Sequence, residues 1–142
     1  MRRWGATDGE RAVTPREGLV YGVGALRAAA HGDRMVWALH RAALTYGLVP
    51  VVTVGAVADA YRTETRGDRL DALLSGAEIE LLGREGAQRT GELASRVGSA
   101  DLVAVSTAEA AARRNAAVVN TRQTALRSTT AVLGHELVQY AV

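Results

Sequence analysis

The sequence contains no cysteine, no phenylalanine and no lysine. Without cysteine there is neither a disulfide scaffold nor a thiolate metal site. Only two prolines occur, and aromatic residues make up 4% of the chain. No apolar run approaches the roughly 18 residues that a membrane span requires, so no membrane partner is expected. The N-terminus, Met1-Arg2-Arg3-Trp4-Gly5, lacks an apolar targeting core, and a cytoplasmic location is expected. The missing lysine makes all 17 basic residues arginine, against 15 acidic ones. A formal charge of +2 is too small for a strong phosphate-attracting field. The arginines are scattered, and the pair Arg113-Arg114 reads as solvated charge.

What is present is a soluble-domain balance of 48% hydrophobic and 23% charged residues over 142 positions. That length supports one domain with a real core. Residues 1–17 are polar and read as an arm, in which Trp4 could anchor a neighbouring chain. Residues 18–142 read as the domain.

The domain alternates short β-rich runs with helical stretches. Leu19 to Val23 is the first predicted strand. Ala25 to Tyr46 is helical, broken at Gly32-Asp33, with Asp33 capping the second half. In that half Val36, Leu39, Ala43 and Tyr46 share one helix face, Trp37 belongs to the packed helix, and Gly47 closes it. Val49 to Val54 is a continuous β-branched run, suited to a strand covered on both sides. A short helix follows Gly55, with Val57, Ala58 and Tyr61 inward, and another spans Asp68 to Leu74. Ala77 to Leu82 is the third strand. Helices over Glu85–Val97 and Ala100–Arg114 follow, the second capped by Ser99 and ended by Asn115. Ala116–Asn120 is the fourth strand, Thr124–Leu133 a helix and Glu136–Val142 the fifth strand. The alternation predicts an α/β fold: one three-layer α/β/α domain with a five-stranded, mainly parallel sheet.

Ligands of open parallel sheets bind outside the carboxyl ends of the strands. The crevice walls are therefore Gly22-Val23-Gly24 and Asn120-Thr121-Arg122-Gln123-Thr124, with the helices near Gly55 and Ser99 at its sides. His31, His40 and His135 lie far apart in sequence, form no ligand pair and read as surface or core residues.

Several segments together resemble the PIN domains, the fold of VapC-type toxin ribonucleases. They are Leu19–Leu26, the Trp37–Arg41 and Gly47–Val52 stretch, Ala58–Arg62, Ser99–Ala104 and Ala112–Thr121. The resemblance implies a magnesium- or manganese-dependent ribonuclease whose metals sit among converging carboxylates, because hard cations take oxygen ligands. It places an acid after the first strand, one on the helix after the second, one or two at the start of the helix before the fourth, and one after the fourth.

This chain departs from that pattern where the metals would sit. The first position is Gly22. Asp59 fills the second and Asp101 matches one of the third, but the more widely used position three residues on is Ala104. After the fourth strand stands Arg122. An arginine about 4 Å from a divalent ion is repelled by roughly 8 kcal/mol at an effective dielectric near 20. The expectation is a degenerate PIN-like domain that has lost nuclease activity and works as a binding module, in a toxin–antitoxin-like or regulatory setting. It needs no cofactor, and its expected partners are a second copy and a small antitoxin-like protein. The alternative is a magnesium- or manganese-dependent endoribonuclease rebuilt from Asp59, Asp101 and Asp33 or Glu64. A third reading is a non-cleaving RNA or nucleotide binder, with Thr121, Arg122, Gln123 and Thr124 offering a helix N-terminus to an anion.

Overall fold

The computed structural model describes residues 18–64, 67–120 and the backbone of 139–141. The order is β1 (Leu19–Tyr21), α1 (Val23–Ala30), α2 (Arg34–Thr45), β2 (Val51–Thr53), α3 (Val54–Thr63), α4 (Asp68–Ser75), β3 (Glu78–Glu80), α5 (Arg84–Val97), α6 (Leu102–Arg114), β4 (Ala117–Asn120) and β5 (Gln139–Ala141). The strands lie in the order β3-β2-β1-β4-β5, and each pairing is parallel. This is the α/β class that the alternation of strands and helices predicts.

Period-two alternation sorts the strand residues between two helical layers. Val20 pairs with Val51 and Val118. That row faces Ala104, Ala108 and Ala111 of α6. Tyr21 pairs with Val52 and Val119, and that row faces Leu26, Val36, Ala56 and Leu70 of α1 to α4. Outside α6, Leu93 and Ala94 of α5 pack on Val105. Burying a large aliphatic side chain contributes about 1.5–3 kcal/mol, so the buried valines of the sheet and the leucines of the helices packed on them both stabilise the fold. No helix among the described residues is long and apolar enough to cross a membrane.

Local chemistry ends the helices where expected. Asp33 caps α2 by accepting from the N–H groups of Met35 and Val36, at 2.9 and 3.0 Å. Gly47, at φ +80, follows the last turn, and Leu48 N–H then reaches back to the Ala43 carbonyl at 2.9 Å.

Several boundaries differ from expectation. Val23 belongs to α1 and Val54 to α3, because each helix starts at once where its strand stops. Val49 and Pro50 precede β2. The inner face of α3 is Ala56 and Ala60, not Val57, Ala58 and Tyr61. Small side chains are buried there, and Tyr61 is 39% exposed. On α2, His40 takes the buried place expected for Tyr46. The cap of α6 is Asp101 rather than Ser99, whose hydroxyl instead accepts from Asp101 N–H at 3.1 Å. The helix expected over Thr124–Leu133 lies outside the described residues.

Arg113 and Arg114 are structural, not merely solvated. Arg113 reaches Glu80 at 2.5 Å and Glu109 at 3.1 Å, and Arg114 reaches Glu80 at 2.7 Å. Burial alone would raise the Glu80 carboxyl, but hydrogen bonds from both arginines outweigh it and hold the group below its ordinary value. The end of α6 is thus fastened to β3.

Candidate functional site

The strand order reverses direction between β1 and β4, which makes their carboxyl ends the switch point of the sheet. Gly22 stands there. Its N–H continues the ladder to the Val119 carbonyl at 2.9 Å, and its own carbonyl accepts from Ala25 and Leu26 at 3.1 and 3.2 Å. One residue therefore ends β1 and begins α1. Its backbone, at φ −85 and ψ 172, is open to any residue. Space, not conformation, requires the glycine. A Cβ at this position would lie 2.4 Å from both Cγ and Nδ2 of Asn120 and 2.7 Å from its Oδ1.

Asn120 ends β4 and is 2% exposed. Its Oδ1 accepts from Gly24 N–H at 2.8 Å, across 96 residues of sequence. The first N–H groups of a helix have no intrahelical partner. Gly22 has no side chain to satisfy them, and Asn120 supplies the missing acceptor from the neighbouring strand. The space that an acid at position 22 would need is occupied, and a polar demand of the crevice is met from within.

The remaining acids are likewise engaged. Asp59 on α3 accepts from Arg62 Nε at 2.9 Å and lies 3.4 Å from the guanidinium of Arg27. Asp101 accepts from Ala104 N–H at 3.1 Å as the cap of α6. Ala104 is buried in the apolar cluster with Val20 and Val51. Asp33 caps α2, and Glu64 ends α3 at 3.5 Å from His31. Both α1 and α3 start at the carboxyl ends of their strands, so Asp33 and Glu64 lie toward the opposite edge of the sheet. The structure does not bring them to Asp101. No three His, Asp or Glu side chains among the described residues gather where an ion could be held. Among the described residues, those at the positions where the resemblance implies ligands do not assemble into a metal centre. Thr121, Arg122, Gln123 and Thr124 lie outside the described residues.

Beside Thr53, at the carboxyl end of β2, is a pocket of about 220 Å³ lined by residues such as Leu82, Thr90, Leu102 and Ser106. It carries hydroxyls and no charged group, a poor lining for a divalent cation.

At the other end of α1 the chemistry changes. An open cleft of about 500 Å³ is lined by Gly32, Arg34, Trp37, Arg41, Asp68 and Arg69. Trp37 is half-buried; its Nε1 donates to the Ala29 carbonyl at 3.0 Å, and its ring meets His40 edge-on at 5.7 Å. Beneath it, His40 Nδ1 lies 2.8 Å from the hydroxyl of Tyr21, which is fully buried. Burial pushes the Tyr21 phenol far up and the His40 imidazole down. The phenol therefore keeps its proton and shares a hydrogen bond with a neutral ring, the tautomer of which sets the donor. Sequence reading overlooked this cleft, although Arg34, Trp37 and Arg41 recur at i, i+3 and i+7, the spacing of one helix face.

No protein-family model and no curated protein matches the chain. The functional reading therefore rests on the residues themselves.

Proposed function

We propose that the chain is a PIN-like domain without its nuclease centre, acting as a binding module in a toxin–antitoxin-like or regulatory setting in the cytoplasm. The observation that carries this reading is the seating of Asn120 against Gly22 at the switch point. A strand-end carboxylate has no room there, and the amide that replaces it carries no charge to hold a cation. Asp59 and Asp101 add support, since one sits between two arginines and the other caps a helix. Both occupy positions to which the PIN resemblance assigns acids, which favours a domain that keeps the framework without the chemistry. The proposed partners are a second copy of the chain and a small antitoxin-like protein, with no cofactor.

The test is incubation of the full chain with RNA and millimolar magnesium or manganese. Intact RNA is the expected result. Metal-dependent cleavage that disappears in Asp101→Ala would overturn the reading and install the endoribonuclease in its place.

A further inference from the structure

We infer that the open cleft between α2 and α4 binds the phosphate groups of nucleotides, presented by single-stranded RNA or by free nucleotide. The inference does not rest on the loss of a nuclease centre, because the cleft lies at the far end of α1 from Gly22.

Its first support is the distribution of unpaired charge. Arg27, Arg62, Arg89, Arg113 and Arg114 all hold carboxylates. Arg34, Arg41, Arg69, Arg84 and Arg96 have no ion pair or side-chain hydrogen bond among the described residues; the last two stand on α5, and the other three line this one cleft together. Guanidinium groups pair readily with carboxylate or phosphate, in flat two-pronged contacts. Three of them sharing a wall without an internal partner form an anion-binding surface. The single opposing carboxylate, Asp68, is the first residue of α4, where the helix dipole favours an acid for reasons of its own.

The second support is the shape of the wall. Gly32, at φ +82, leaves the floor without a side chain, and a Cβ there would lie 3.1 Å from Nη1 of Arg69. The guanidinium of Arg69 thereby lies against the turn after α1, and Arg69 lines the same cleft as the α2 stripe. Trp37 stands between Arg34 and Arg41 on that stripe, with its indole fixed by the bond to Ala29 and the contact with His40. A fixed aromatic wall flanked by guanidinium groups suits a base and its phosphates together, since bases stack on aromatic rings without regard to sequence. A simple anion would need only the arginines, and an apolar ligand only the tryptophan.

The experiment uses the full chain carrying Trp4→Phe, so that Trp37 is its one tryptophan. The probes are an oligouridine of about 12 nucleotides, a length within a usual single-strand site, and ATP. Binding is followed by Trp37 fluorescence between about 50 and 200 mM salt. Three phosphate contacts predict a slope of log K against log salt near −2, or about fifteenfold weaker binding across that range. The double variant Arg34→Ala/Arg69→Ala should keep the parent melting temperature and flatten the slope by about 1.4. Arg41→Glu should abolish binding independently. Quenching by ATP as well as by oligomer assigns the site to free nucleotide, and quenching by the oligomer alone assigns it to RNA. The inference is overturned if neither probe binds at low salt, if the double variant keeps the parent slope, or if binding follows Arg122→Ala while the cleft variants bind normally.

Discussion

The two ends of α1 handle polar groups in opposite ways. At its start, Gly22 contributes no side chain, and Asn120 fills the crevice and accepts the hydrogen bond that the helix offers. The acids of the framework are spent on arginines and on a cap. At its end, beyond Gly32, three arginines without an ion pair among the described residues line an open cleft. The switch point, where the fold rule places a ligand, is internally satisfied. The opposite edge, which the rule passes over, is not. Unmet hydrogen-bonding capacity is the better guide to a binding surface in this chain than strand topology.

The sharpest way to break the comparison is Gly22→Ala. A methyl group inserted against Asn120 is expected to cost about 3 kcal/mol, the upper part of the range for overpacking. Most of that loss should vanish in the double variant with Asn120→Ala, which urea titration of the four proteins would detect. Additive losses would mean that the crevice is not sterically filled. Next comes His40→Leu, which undercuts the Trp37 side. It leaves the buried Tyr21 hydroxyl without its partner, at about 2 kcal/mol. It also removes a pH dependence. The folded imidazole titrates below its unfolded value near 6.5, so between the two the unfolded chain binds more protons. Stability in the parent is therefore full above about pH 6.5 and falls as the pH drops toward the folded value. Melting curves of the variant should lose that part of the decline. The smallest effect belongs to Asp101→Ala, expected to lower stability by about 1 kcal/mol through loss of a helix cap. A stability change with no change toward metal or RNA would place Asp101 on the structural side of the comparison.

Much of the framework could be read from residues alone, because its signals are local. The β-branched cores around Val51 and Val118 announce covered strands. Gly47 and Asn115 mark helix ends through conformations that most residues avoid. The face of α3 was not readable in the same way. In a stretch of alanine and valine several stripes look equally apolar, and Ala56 and Ala60 were chosen by the close packing of their neighbours. The vacancy at Gly22 could be read directly. The role of Asn120 could not, because it depends on the β1–β4 register joining residues nearly a hundred positions apart. The cleft was half visible: the α2 stripe is periodic, but Arg69 arrives from α4 by tertiary packing.

The bond between α6 and β3 bears on how two copies of the chain could meet. β3 is an outer strand of three residues, and Glu78 and Glu80 on it are engaged by arginines of α6. Brevity and bound charge are the means by which a sheet margin is kept from recruiting further strands. Continuous sheets across two molecules are disfavoured on that side, and self-association there would have to proceed through helices.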